Sequence, residues 1–281
     1  MRSTADQDNG HALAGLHERA RSRIRIGRGG PGIERMEAQF TGAAFSPHRH
    51  DTYAIGVTLS GVQAFRYRGE QRYCLPGQCH ILHPDEAHDG RAGTTDGFGY
   101  RMVYLDPSLV QQALDGKPLP FVAEPVVDRR VFDGIPLHAL WRLDDPIDDI
   151  GRIETAAALA DMLSRAARTP GTRTALRLES LTRVRDRIVA QPAAPLSLHE
   201  LERISGLDRW TLARQFRAAF GTSPSRFRTM RQLDQARRLI RSGHPLATAA
   251  LDAGFADQSH MSRMFKRTYG LTPATWAASI A

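Results

Sequence analysis

"MSRMFKRTYGLTP" runs from Met261 to Pro273, and "LARQFRAAFGTSP" runs from Leu212 to Pro224. At an offset of 49, Leu212 aligns with Met261, Arg214 with Arg263, Phe216 with Phe265 and Arg217 with Lys266. Phe220 aligns with Tyr269, Gly221 with Gly270, Pro224 with Pro273 and, upstream, Asp208 with Asp257. Further upstream the offset becomes 48, so that Gly206-Leu207 meets Gly254-Phe255 and Ala256 is an extra turn residue. A stretch repeated in this way reads as one helical unit used twice.

The residue types say how each unit folds. Asp208 and Asp257 are suited to N-caps, because a carboxylate accepts a bond from an otherwise orphaned backbone N–H. Leu212, Phe216 and Phe220 recur every four residues, as do Met261, Phe265 and Tyr269, and each set makes an apolar stripe. Gly221 and Gly270 stand where a helix closes through a left-handed residue. Trp210, Arg214 and Arg217 form a second stripe, matched by Ser259, Arg263 and Lys266. A shorter helix precedes each unit, in "LSLHELERISG" and "PLATAALDAG". Helix, glycine turn and helix with a basic outer stripe describe a helix-turn-helix, whose second helix enters the major groove. Between the copies, "PSRFRTMRQLDQARRLI" predicts a connecting helix that starts at Pro224 and buries Phe227, Met230, Leu233, Ala236 and Ile240.

Charge supports a polyanion partner. Residues 171–281 carry 18 Lys and Arg against 8 Asp and Glu, a net of +10, while the whole chain is +8. A basic C-terminal third behind a mildly acidic body fits nucleic acid, and a solvated basic surface is the plain alternative. No run approaches 18 consecutive apolar residues, so no membrane span is expected. The N-terminus lacks an apolar signal region, which makes the cytoplasm the expected location. Cys74 and Cys79 are the only cysteines and read as reduced thiols.

The rest of the chain divides by grammar. Residues 1–35 read as a flexible basic arm, and short β-branched and aromatic runs separated by Gly and Pro then predict a sandwich or barrel. From about Pro136 the pattern turns helical, with Ile153, Ala157, Leu159, Ala160 and Leu163 near one predicted helix face. "ARTPGTRT" then reads as a linker. His48 and His50 stand two apart on one face of an extended segment, with His80, His83, Glu86 and His88 further on. Such a pair with a distant third histidine is raw material for a metal site.

The region from about Ala175 to Trp276 closely resembles the AraC/XylS family of transcription regulators. The ordered match "AGFADQSHMSRMFKRTYGLTP" carries the resemblance. It implies two helix-turn-helix units gripping successive major grooves, with Trp210 and Arg214 in the first reader approaching bases or backbone. Gln258, Ser259, His260 and Arg263 would do so in the second, with Arg209, Arg217, Lys266 and Arg267 as phosphate partners and Thr211 completing the DNA-binding set. Glu202 departs from the small residue that the family usually keeps at that place, which Ala250 retains in the second copy. "PHRHDTYAIGV", "PGQCHILHPDEAHDG" and "YRMVYLDP" further resemble the effector-binding barrel that precedes this module in the family, and the cupin layout. Metal-binding cupins add a Glu shortly after the His pair, and this chain has no carboxylate from Tyr53 to Val57.

The resulting expectation is a two-domain α+β chain: a cupin-like β-barrel with flanking helices, then an all-α domain of two helix-turn-helix units joined by a long helix. The boundaries are 1–35 for the arm, 36–168 for the barrel and a possible dimer seam, 169–174 for the linker and 175–281 for the DNA-binding domain. Within the last, the two units fall at about 197–220 and 246–269. The function read from this is a sequence-specific transcription activator answering to a small-molecule effector. His48, His50, Tyr53, His88 and Tyr100 are the candidate effector contacts. Double-stranded DNA, the effector, RNA polymerase and a second copy of the chain are the expected partners. No catalytic residue, metal or cofactor is expected. Two alternatives are a metal-dependent cupin enzyme with a DNA-binding tail and an architectural DNA binder without a ligand.

Overall fold

The computed structural model describes residues 22–27, 30–135, 140–167 and 176–279. Most of the arm (residues 1–21) and the linker at 169–174 therefore lie outside the described residues. The end of the predicted arm is strand instead. Strand β1 (Arg23–Ile26) pairs antiparallel with β2 (Ile33–Phe40). Ile24 and Ile33 are buried, and fully buried Arg35 donates to the carbonyls of Arg142 (2.8 Å) and Asp145. The positive charges that suggested a solvated arm alternate with isoleucines, so this stretch has one face to bury.

The remaining strands are β3 (Ala43–His48), β4 (Tyr53–Gly61), β5 (Gln63–Tyr67) and β6 (Glu70–Cys74). They are followed by β7 (Cys79–Leu82), β8 (His88–Ala92), β9 (Phe98–Leu105) and β10 (Val126–Val127). One sheet has the order β1-β2-β9-β4-β7-β10, and a four-stranded sheet has the order β3-β8-β5-β6. Helices α1 (Pro107–Ala113) and α2 (Asp149–Ala166) cover the outer face of the larger sheet. The larger sheet is thus apolar on both faces. Tyr53, Ile55, Val103 and Leu105 pack toward the helices, while Ala54, Tyr100 and Met102 pack toward the smaller sheet. On α2, Ala156, Leu159, Ala160, Met162 and Leu163 are buried, whereas Ile153 and Ala157 face outward, contrary to the sequence expectation for that helix.

The C-terminal half is helical: α3 (Leu178–Ala190), α4 (Leu198–Ser205), α5 (Arg209–Phe220), α6 (Pro224–Arg241), α7 (Leu246–Asp252), α8 (Gln258–Tyr269) and α9 (Pro273–Ser279). Helices α4 and α5 form the first helix-turn-helix, and α7 and α8 the second. Their cores are separate: Leu212, Phe216 and Phe220 pack with α3, while Met261 and Phe265 pack with Ala236, Ala250 and Trp276. Full burial of each of these large side chains contributes about 1.5–3 kcal/mol. Helix α6 serves both cores, with Phe227 at one end and Leu233 and Ala236 toward the other.

The caps form as the sequence implies. Asp208 accepts from the amides of Trp210 and Thr211 at 3.0 Å each, and Asp257 accepts from the amide of His260. Gly221 and Gly270 close the two reader helices with φ of 75° and 73°. These two glycines also dock on the barrel. A Cβ added to Gly221 would come within 2.4 Å of Pro84, and one on Gly270 within 2.8 Å of Phe45. The absent side chains therefore permit both a left-handed turn and a close approach.

Candidate ligand cavity and DNA-reading surface

Two strand ends and the turn after β3 bring His48, His50 and His88 together. His48 ends β3, His88 opens β8, and the two are register partners. Ring centroids lie 4.2 Å apart for His48 and His88, and 4.8 Å for His50 and His88. One ring nitrogen from each residue lies within 4.8 Å of the others. Burial holds all three rings well toward the neutral form, His88 down to about 4.

These histidines line a cavity of about 340 Å³. Its apolar wall includes Met36, Phe65, Tyr100 and Met102 from the barrel. Its opposite wall comes from the helical domain: Arg231, Asp234 and Arg237 on α6, Tyr269 on α8, and Trp276 on α9. Of the predicted effector contacts, His48, His50, His88 and Tyr100 thus face the cavity. Tyr53 does not. It sits on the opposite face of β4, packs toward α1 and α2, and donates its hydroxyl to the Pro120 carbonyl at 2.7 Å. Alternation decides this, since neighbouring Ala54 takes the cavity side. Glu86, two residues before His88, turns to Arg68 at 3.7 Å. His80 is fully buried, held near 3 by burial, and His83 Nε2 meets the backbone of Val122, 3.0 Å from its amide nitrogen and 3.2 Å from its carbonyl oxygen.

The sequence did not signal the α6 wall. Arg231 meets Asp51 of the barrel at 2.7 Å, and Arg237 meets Glu34 at 2.7 Å. Asp51 lies deep enough that burial raises its carboxyl to about 6, although Arg231 opposes the shift. Asp234, three residues after Arg231, accepts from the hydroxyl of Tyr269 at 3.2 Å. The spacing 231, 234, 237 is one helical face, but a stripe of Arg and Asp reads from sequence as a solvated face.

The predicted DNA-binding residues lie along α5 and α8. Trp210 is 77% exposed, and Arg214, Gln258, Ser259, Arg263, Lys266 and Arg267 are also exposed. The structure gives four others protein partners. Thr211 is half-buried, with its Oγ1 3.4 Å from Arg214. Arg209 pairs with Glu202 at 3.1 Å. Arg217 pairs with Asp85 of the barrel at 3.1 Å. His260 is half-buried with its ring edge-to-face on Phe255, centroids 5.4 Å apart. Asp85 also holds Arg226 at 2.6 Å, and its amide donates to the carbonyl of His50 at 2.7 Å.

A ligand-sized cavity in a barrel, closed by a helical domain that carries two exposed basic readers, defines a class: ligand-binding transcription regulators of the helix-turn-helix type. Comparison with known proteins narrows the class. A family model described as an AraC-like ligand binding domain matches residues 30–164, and a helix-turn-helix domain model matches residues 201–279. The HTH-type transcriptional regulator YbfI of Bacillus subtilis is 26% identical over 230 residues, covering 77% of this chain and 81% of that protein. The transcriptional activator NphR of Rhodococcus sp is 30% identical over 141 residues, covering 48% of this chain and 42% of that one. ToxT from Vibrio cholerae superposes with a TM-score of 0.61 at 10% identity, covering 88% of this chain and 98% of that one, a likeness of fold. The chain belongs to the AraC/XylS family of transcription regulators. Among the described residues, no helix is long and apolar enough to cross a membrane.

Proposed function

We propose that this regulator is a sequence-specific activator whose DNA binding is set by a small molecule in the barrel cavity. The observation that carries the reading is the composition of the cavity wall. One side is barrel, and the other is the connecting helix α6 with Tyr269 and Trp276. An occupant therefore touches the element that spaces the two readers. Only a ligand that binds one arrangement of the two domains better than another shifts their balance, and a shared wall supplies that difference.

Trp210 and Arg214 are the proposed base or backbone contacts of the first reader, and Gln258, Ser259 and Arg263 those of the second. Lys266 and Arg267 are proposed to hold phosphates. Ile150 and Ile153 on α2 are 69% and 62% exposed, which supports that helix as a seam between two copies. Activation implies contact with RNA polymerase.

The test is Arg214→Ala combined with Arg263→Ala in a footprinting and salt-titration experiment. Loss of the specific footprint is expected, with a discrimination cost of about 1–3 kcal/mol for each arginine that reads a base. If both bind phosphate instead, binding weakens on all sequences and the salt slope falls by roughly two. Unchanged footprint and unchanged slope refute the reader assignment.

A further inference from the structure

We propose that the inner end of the cavity is a subsite for a hydroxyl group, read by His80 and Gln63, and that the effector is a small neutral molecule carrying that hydroxyl on an apolar body. The proposal rests on the reading of the cavity as the effector site.

Strand register sets the depth. On β4, Ala54 lies between Leu82 of β7 and Tyr104 of β9. This layer is the one next to α6, because Tyr104 is the register partner of Glu34, which Arg237 holds. Gly56, the next residue on the same face of β4, lies between His80 and Met102. His80 thus stands one layer farther from the helical domain. On β5, Tyr67 pairs with His88 while Gln63, at the other end of the strand, pairs with Ala92 and lines the cavity.

Both side chains are buried, His80 completely, and the protein satisfies neither. The two ring nitrogens of His80 and Oε1 of Gln63 have no hydrogen-bond partner among the described residues. A buried polar atom in that condition costs stability, and a leucine at either place would occupy similar space without the cost. Room is also made for the imidazole. A Cβ on Gly56 would fall 2.4 Å from His80 Cε1 and 2.6 Å from its Nε2. A glycine inside a strand weakens it and marks a close approach. Two such costs at one place point to recognition rather than packing.

The chemistry of the subsite selects its occupant. Burial keeps His80 neutral, so one ring nitrogen donates and the other accepts. Gln63 Oε1 only accepts. A hydroxyl matches this pair: its oxygen accepts from the His80 N–H and its proton goes to Gln63 Oε1. A methyl group makes neither bond. Around His80 stand Phe65 and Tyr100, with ring centroids 5.7 and 6.5 Å away, and Met102. None of these carries a charge, so a carboxylate or an ammonium there would be buried without a counter-ion. Arg231 and Arg237 stand at the α6 side and are held by Asp51 and Glu34. The way from the subsite to α6 passes Met36, Phe65 and Met102, which suits an apolar body. A cavity of about 340 Å³ is at the small end for ligand pockets and takes one ring with a short substituent.

The test uses the full chain without DNA, titrated calorimetrically with three probes of one shape: p-cresol, p-xylene and p-toluate. Saturable binding of p-cresol is expected, at least about 10-fold tighter than either other probe, because a site built to bond a hydroxyl rejects the analogue that lacks it. His80→Leu with Gln63→Leu should lose that preference and bind p-xylene at least as tightly as p-cresol. Exposed His199→Gln should bind as the parent does. Circular dichroism and a urea transition confirm that each variant is folded. Where the double variant does not fold, the single variants replace it, each expected to lose about 3-fold of the preference. Absence of saturable p-cresol binding, equal or tighter binding of either other probe, or a folded variant that keeps the preference overturns the subsite. The regulator reading is judged separately, by the footprint of the parent chain. A specific footprint without a preference for p-cresol keeps that reading and overturns the subsite. The expected preference without a footprint on any selected DNA does the reverse.

Discussion

Glu202 stands where the family resemblance leads one to expect a small residue, and the structure gives it a role. Its carboxylate accepts from the backbone amide of Arg209 at 3.0 Å and from the Arg209 side chain at 3.1 Å. It thereby caps the start of α5 from the preceding helix, beside the Asp208 cap. Glu202→Ala should lower stability by about 1 kcal/mol, the usual worth of a cap or a charge-assisted bond, read as a shifted urea midpoint. His83 supplies a prediction of the opposite kind, in which pH is varied. Its buried Nε2 lies 3.0 Å from the Val122 amide nitrogen and 3.2 Å from the Val122 carbonyl oxygen, and burial, helped by the Arg68 guanidinium, pushes its pKa down to about 4. The unfolded ring takes its proton near 6.5, so the unfolded state binds more protons between those values. Stability is then full above pH 6.5 and falls as the pH drops toward 4, by roughly 2 kcal/mol at pH 5 from this residue alone. Urea transitions at pH 7.5 and pH 5 should show the loss, and His83→Gln should show a smaller one.

At the scale of the element, two glycines separate local strain from docking. Gly206 and Gly270 both close helices, with φ of 65° and 73°. A Cβ on Gly206 meets nothing within 4 Å, whereas one on Gly270 meets Phe45, His48 and Ser46. Both changes to Ala should lower the urea midpoint, by about 1 kcal/mol for the strained backbone at Gly206. Only Gly270→Ala should speed hydrogen exchange at the amides of Ser46 and Arg49, which bond to the end of α8. The helix caps and core stripes of these elements were legible in the sequence because they are local: an Asp three residues before an amide, an apolar side chain every fourth position. Tyr53 was not legible. Strand β4 is buried on both faces, so its residues do not alternate in polarity and nothing local says which face meets the cavity. The polar side of α6 was hidden for a different reason. Arg231 and Arg237 find their carboxylates on Asp51 and Glu34, about 180 and 203 positions away in the chain. The strand pair at the end of the arm is hidden in the sequence because arginines alternate with Ile24 and Ile26 over only four residues.

Across the whole molecule, barrel and readers compete for the same charges. Arg217, a phosphate contact by its place on the reader helix, is held by Asp85, whose side chain is 4% exposed. Asp85→Asn keeps the shape of the side chain and suits the positive φ of 63° at this position. It should free Arg217, raise DNA affinity without any effector, and steepen the salt slope by about one. An anisotropy titration at several salt concentrations checks this, and an unchanged slope would show that Arg217 reaches phosphate in both states or in neither.

The shared wall of the cavity bears on how such proteins can be recombined. Helix α6 carries Phe227 and Leu233 into the two reader cores and turns Arg231 and Arg237 toward the cavity. The two halves are therefore not interchangeable modules. A chimera that joins this barrel to another regulator's DNA-binding half keeps every barrel residue and still loses one side of the binding chamber. Retargeting this sensor to new operators is better done by changing the outer faces of α5 and α8 than by exchanging the half that carries them.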